Sequence, residues 1–206
     1  MVQHFSCEHS HSARTIGTMI EIDERKSWDR SRNLVLIGPG GAGKSSLGIA
    51  LAPLLNHCLV DLDGEFSRQI GDIGEFLREE GYEAYKLRNS ILAEQLMFEP
   101  SAPTLLVTSS GFLAVDNPVK TLEANRRLVA NCYSICLLPS RNLEEAVDII
   151  VKRQSRRPFV GDHTHEERTI RARYPVYVQE GDLLVFSTAP SIDTAEAITR
   201  RLSEKS

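Results

Sequence analysis

From residue 33 onward, short apolar runs of β type alternate with stretches of helical period, which predicts βαβ units around a parallel sheet. The runs are NLVLI (33–37), HCLVDL (57–62), TLLVTS (104–109), YSICLL (133–138) and DLLVFS (182–187). Most are continuous rather than alternating, as suits strands covered on both faces. Between them, Leu143, Ala146, Val147 and Ile150 recur at helical spacing, as do Leu122, Ala124 and Leu128, and Ala195, Ile198 and Leu202. These read as core faces. The predicted class is α/β, with a five-stranded parallel sheet as the middle of three layers and helices on both faces.

Two stretches lie outside that pattern. Residues 1–31 are polar and poor in periodic apolar positions, and read as a flexible extension ahead of one domain at 32–206. Within them, His4, Cys7, His9 and His11 carry metal-ligating atoms but no surrounding pattern to fix their geometry, so they read as tail. The segment Ser155–Glu167 mixes Pro, Gly, Asp and two histidines and predicts a mobile lid at about 154–166. Its His163 and His165 have no acidic or Cys partner at ligand spacing and read as solvated.

Composition narrows the partners. With 206 residues, 41% of them hydrophobic and 25% charged, the chain has the make-up of one globular domain. A net charge of -4 gives no basic field for nucleic acid or an anionic membrane. No apolar run approaches the roughly 20 residues that span a bilayer, and no charged-then-apolar leader opens the chain. Cys7, Cys58, Cys132 and Cys136 form no C-x-x-C pair, and no disulfide is expected. These features predict a cytoplasmic monomer acting on a small molecule.

The chemistry begins directly after the first run. Gly38-Pro-Gly40-Gly41-Ala42-Gly43-Lys44-Ser45 matches G-x-x-x-x-G-K-[ST] between a predicted strand and a predicted helix. Glycines there let backbone N–H groups wrap phosphate oxygens, and the helix start adds its positive end. Lys44 reaches the β and γ phosphates and the Ser45 hydroxyl ligates magnesium, with Ser46 next on the same helix start, so ATP and Mg2+ are the predicted cofactors. The overlapping G-x-G-x-x-G at Gly38, Gly40 and Gly43 would also suit a dinucleotide, with Asp61 or Asp63 on its ribose, but Lys44 and Ser45 have no task there. Asp61 and Asp63 end the second run one alternation step apart, aimed at the edge where α/β folds bind ligands.

With these motifs the chain resembles the shikimate kinases, small P-loop kinases that move the γ phosphate of ATP onto a hydroxyl of shikimate. The family's D-x-D is similar to Asp61-Leu62-Asp63, and its I-x-x-I-F-x-x-x-G-E-x-x-F-R segment to Ile73–Leu77 and Gly81–Lys86. Its triple glycine corresponds to Ser109-Ser110-Gly111, its lid R-P-L-L to Arg157-Pro158-Phe159-Val160, and its R-x-P-L-Y to Arg173-Tyr174-Pro175-Val176-Tyr177. The resemblance implies a P-loop kinase fold over residues 33–203. It also implies that Asp61 holds magnesium, that Asp63 binds and deprotonates the acceptor hydroxyl, and that Arg157 stabilises the transferring phosphoryl. Arg153 would stack on adenine beside Thr188-Ala189-Pro190, and Arg173, Lys86, Ser109, Ser110 and Gly111 would line the acceptor pocket, with the two cations at a substrate carboxylate.

The departures concentrate in that pocket. Lys86 stands where the family has an arginine, Asn89 where it has a glutamate, and Ser109 and Ser110 where it has glycines. An ammonium cannot make the planar fork of a guanidinium, but Arg173 remains to hold a carboxylate, so the acceptor is expected to be shikimate or a similar hydroxy acid. Two rival readings are a gluconate kinase-like or nucleoside kinase of the same fold, and a nucleotide-binding regulatory domain without transfer.

Overall fold

The computed structural model describes residues 19–98, 102–154 and 163–204. In chain order the elements are β1 (Ile20–Glu24), β2 (Leu34–Ile37), α1 (Lys44–Leu54), β3 (Cys58–Asp61), α2 (Leu62–Gln69), α3 (Ile73–Glu79) and α4 (Gly81–Met97). Then follow β4 (Thr104–Val107), α5 (Val119–Asn131), β5 (Tyr133–Leu138), α6 (Leu143–Gln154), α7 (His163–Gln179), β6 (Leu183–Ser187) and α8 (Ser191–Ser203). The strands form one sheet in the order β1-β6-β5-β2-β4-β3. All neighbours run parallel except β1, which is antiparallel to β6.

The alternation of side chains along β2 builds both cores. Leu34 and Leu36 face α1 and α8, meeting Leu47, Leu51, Ile198 and Leu202, while Val35 and Ile37 face the other layer with Leu62, Phe66, Leu128 and Tyr177. All four β2 residues are fully buried, which explains why this strand reads as a continuous apolar run. The helical faces of α6 and α8 pack through the residues their periodicity marks. On α5 the buried face is instead Thr121, Asn125, Leu128 and Val129, so Leu122 and Ala124 lie beside the core rather than in it.

Three sequence expectations change here. The sheet has six strands, not five. The additional one, β1, comes from the stretch read as an extension outside the fold, and Ile20–Glu24 pairs in register with Ser187–Leu183. Its sequence, IEIDE, was missed because an edge strand with only one face on the core needs few apolar residues. Its acids are tied down: Glu21 and Asp23 meet Arg141 at 2.6 and 3.4 Å, and Glu24 meets Arg201 at 2.9 Å. Charges along an edge also discourage pairing with a further strand. Trp28, farther along that stretch, donates its indole N–H to the Arg32 carbonyl and packs 6.2 Å from the Tyr133 ring. Third, α7 begins at His163, so the end of the predicted loop is helical, with Glu167 and Arg171 paired one turn apart at 2.8 Å. The rest of the predicted lid, Arg157 included, and the His4, Cys7, His9 and His11 set lie outside the described residues.

Asp182 fastens β1 to the sheet. Its buried carboxylate accepts hydrogen bonds from the Ser134 N–H and hydroxyl and from Lys26 at 2.8 Å, and its carbonyl accepts from the Arg25 and Lys26 N–H groups. Burial alone raises the carboxyl, but the bonds from Lys26 and Ser134 outweigh it, and the net is below the ordinary aspartate value of 3.8. Asp182→Ala is expected to cost about 1–3 kcal/mol in urea denaturation at neutral pH, because the Ser134 N–H loses its buried acceptor. A depressed folded value means that the stabilisation is complete above 3.8 and is lost as pH falls through the folded value. The wild-type advantage should therefore disappear in strong acid.

Candidate active site

Every strand of the parallel set points its C-terminal end at one edge, and there the predicted site residues gather. The first group is the loop after β2. Gly38 has φ +146 and sits so close to its neighbour that a Cβ would lie 2.4 Å from the Leu137 carbonyl oxygen. Gly43, with φ 105, is the N-cap of α1 and brings no side chain to the helix start. Lys44 opens α1 and folds back, donating to the carbonyls of Gly38 at 2.8 Å and Pro39 at 3.1 Å. Burial lowers the ammonium to about 8, against the opposing pull of Asp63 and Asp61, with Arg173 adding to the lowering. Ser45 and Ser46 are exposed on the first turn of α1.

Asp61 ends β3 and caps α2, its Oδ1 accepting from the N–H groups of Asp63 and Gly64 at 3.1 and 3.2 Å. Its Oδ2 makes no hydrogen bond among the described residues. Asp63 keeps solvent access at one side yet is crowded by protein atoms. That loss of water raises its carboxyl above the usual value, with the hydrogen bond from Tyr85 and the positive charge of Lys44 opposing the rise and Asp61 adding to it. Tyr85 donates its hydroxyl to Asp63 Oδ1 at 3.1 Å.

The residues expected to form the acceptor floor come from the turn after β4, from α4 and from α7. Arg173 donates to the Tyr82 hydroxyl at 3.1 Å and reaches Ser110 Oγ at 3.5 Å. Gly111 fits beneath them, since a Cβ there would meet the Tyr82 hydroxyl at 2.9 Å. Lys86 is buried and already engaged: its ammonium lies 2.7 Å from Glu83, donates to the Asp116 carbonyl at 2.7 Å, and sits 4.9 Å over the Tyr82 ring. Asn89 accepts from Ser109 Oγ through Oδ1 at 3.1 Å and donates to the Tyr85 hydroxyl at 3.4 Å. Sequence reasoning singled out neither Tyr82 nor Tyr85 for a role, nor Asn117 and Asn125, whose amides hold the carbonyls of the turn after Ser110. A polar side chain on the buried stripe of α5 was the available signal for Asn125.

Beside the phosphate loop lies a cavity of about 300 Å³, lined by Ala42, Gly43, Arg153, Ala189 and Ser191 among others. Pro190 is the N-cap of α8 at its rim, and Arg153 donates from α6 to the Ala42 carbonyl at 3.1 Å. Gly40 links the two halves, because a Cβ on it would lie 3.3 Å from Ser110 Cβ. A phosphate cradle thus stands between a cavity large enough for a ring system and a polar floor with a cation.

The model of the shikimate kinase family matches residues 40–203. This chain belongs to the shikimate kinase family. A shikimate kinase of Thioalkalivibrio sulfidiphilus is 31% identical over 170 residues, 79% of this chain and 82% of that protein. A pentafunctional AROM polypeptide of Scheffersomyces stipitis is 28% identical over 138 residues, 66% of this chain and 8% of that much longer protein. The fold agrees with a shikimate kinase from Acinetobacter baumannii in complex with shikimate, at a TM-score of 0.70 and 23% identity, covering 84% of this chain and 94% of that one.

Gly38→Ala tests the cradle. Strain at a left-handed φ and the 2.4 Å approach to Leu137 should push the loop aside, so calorimetry is expected to show at least about a tenfold loss of ATP affinity. A variant with wild-type affinity would mean that the loop does not hold phosphate in this conformation.

Proposed function

We propose that this chain is an ATP-dependent kinase that phosphorylates a hydroxyl of shikimate. The observation that carries the reading is the meeting of three groups from three elements at one sheet edge: Lys44 on α1, Asp63 on α2 and Arg173 on α7. Phosphoryl transfer asks little covalent chemistry of a protein. It requires positioning, neutralised charge and a group to take the hydroxyl proton.

The loop Gly38–Ser45 binds the triphosphate through its N–H groups, and Lys44 gives up the carbonyls of Gly38 and Pro39 for phosphate oxygens. Arg153 and the cavity beside Pro190 hold the base. The Ser45 hydroxyl and the uncommitted Oδ2 of Asp61 are hard oxygen donors of the kind magnesium takes, and fit it. Magnesium there would neutralise phosphate charge. Asp63 accepts the proton of the attacking hydroxyl, a task favoured by its raised carboxyl and by its place between Lys44 and Tyr85. Arg173 binds the substrate carboxylate, together with Ser109, Ser110 and Gly111 as the floor. Lys86, paired with Glu83 and Asp116, reaches a ligand only by exchanging the Asp116 contact.

The test is ADP release from ATP and magnesium with shikimate, gluconate and nucleosides as acceptors. Shikimate is expected to be preferred, and a neutral nucleoside or sugar as best acceptor would overturn the assignment. Lys44→Ala should reduce shikimate-dependent turnover by at least about a hundredfold, since it removes the cation that spans the phosphates throughout transfer. Arg173→Met should raise the KM for shikimate at least about tenfold, from the loss of a charge-assisted hydrogen bond worth roughly 1.5–3 kcal/mol, and leave the KM for ATP within about twofold. Unchanged shikimate kinetics in Arg173→Met would remove the carboxylate from the proposal.

A further inference from the structure

Two departures of the acceptor floor, Ser109 and Asn89, are joined to the base through Tyr85. Ser109 Oγ donates to Asn89 Oδ1 at 3.1 Å, Asn89 Nδ2 donates to the Tyr85 hydroxyl at 3.4 Å, and that hydroxyl donates to Asp63 Oδ1 at 3.1 Å. We propose that Ser109, Asn89 and Tyr85 form a hydrogen-bond relay that fixes the Asp63 carboxylate, with Tyr85 as the positioning residue of the acceptor base. The proposal rests on the reading of Asp63 given under the proposed function.

Each link can point only one way. An ionised carboxylate has no proton to give, so Tyr85 must donate to it, and its oxygen is then left to accept. The Asn89 amide nitrogen therefore faces Tyr85, its oxygen faces away, and Ser109 supplies that oxygen with a proton. Chains polarised in one direction strengthen their terminal bond. The members are also buried polar groups that need partners: Asn89 is 2% exposed, Ser109 6% and Tyr85 8%. Packing holds the tyrosine still. Its ring lies 5.1 Å from the Phe66 ring and stacks 6.0 Å from Tyr82, whose face carries the Lys86 ammonium. Tyr85 and Asn89 sit one turn apart on α4, so the same helix face presents both.

The consequence is which oxygen does the work. With Oδ1 held by Tyr85, Oδ2 of Asp63 makes no hydrogen bond among the described residues and is the oxygen left for the acceptor. As the acceptor oxygen attacks, its O–H bond breaks and the proton passes to Oδ2. The new O–P bond forms while the bond to the leaving ADP oxygen breaks and its electron pair stays on ADP. Tyr85 keeps its own proton, since burial and the neighbouring Asp63 push its phenol well above the usual range. It orients the carboxylate without titrating.

Tyr85→Phe keeps the ring and removes the donor. With shikimate, ATP and magnesium, kcat is expected to fall at least about tenfold while the KM for ATP stays within about twofold. The decisive comparison is made in Asp63→Asn protein, where a second change, Tyr85→Phe, should leave the residual kcat unaltered. A loss of the same factor in that background would show that Tyr85 acts on packing rather than through Asp63, and would overturn the relay. Ser109→Ala keeps the question open to test should Tyr85→Phe fail to fold. It should lower kcat about two- to fivefold alone and not at all in the Asp63→Asn background. Wild-type kcat in both Tyr85→Phe and Ser109→Ala, with Asp63→Asn inactive, sinks the relay and spares Asp63. Full turnover in Asp63→Asn instead removes the base itself, and the relay's role falls with it.

Discussion

Full burial of β2 is the constraint from which the site follows. A strand buried in the middle of a sheet needs a hydrogen-bonded neighbour on each edge, and here these are the parallel strands β4 and β5. The chain leaves β2 for β3 and β4 on one side and comes back for β5 and β6 on the other. Next to β2 the connections therefore diverge, and the sheet edge opens into a crevice at the strand's C-terminal end. The loop Gly38–Ser45 fills the start of that crevice because it is the exit from β2. Asp61, Ser109 and Arg153 arrive there because their elements end or start at the same edge. Function here needs no special fold beyond a buried central strand and right-handed crossovers.

The crevice concentrates charge that it does not neutralise by itself. Lys44 is buried, with its ammonium lowered to about 8, and in the free protein its partners are backbone carbonyls rather than carboxylates. Asp63 is pushed in the opposite direction, toward its protonated form. Each departs from its ordinary value because burial disfavours its charged form. A polyanion entering the loop reverses that balance for Lys44 by supplying the opposite charge that desolvation withheld. Arg173 is only partly buried and bonded to neutral hydroxyls of Tyr82 and Ser110, so a carboxylate bound there would displace weak partners rather than an ion pair. Lys86 has gone the other way and already holds its carboxylate in Glu83.

The buried parallel strands and the phosphate loop could be read from the sequence because each depends on local signals: continuous apolar runs, glycines at positive φ, and a lysine and serine at a helix start. All five runs are strands within one or two residues of their expected ends. The edge strand β1 could not, since what fixes Ile20–Glu24 is its pairing with Leu183–Ser187 and the Arg141 and Arg201 contacts, over a hundred residues away. The engagement of Lys86 was hidden for the same reason. Its partner Asp116 lies beyond β4, and spacing along α4 says nothing of it. Tyr85 was legible only as a large residue on a helix, and its hydroxyl acquires meaning from Asp63, 22 positions earlier.

The amide at position 89 has an electrostatic consequence of its own. A glutamate at position 89, in place of Asn89, would set a second carboxylate against the Tyr85 hydroxyl, which has a single proton to donate. Either Asp63 or that glutamate would then lose its donor, and two acids sharing the site would raise each other's carboxyl. An amide avoids the conflict because it has both a donor for Tyr85 and an acceptor for Ser109. A glycine at position 109 would leave that acceptor without its hydroxyl partner and buried. The asparagine and the serine therefore support each other: either one alone strands a polar atom where Tyr85, Asn89 and Ser109 are at most 8% exposed, whereas together they deliver one polarised bond to Asp63.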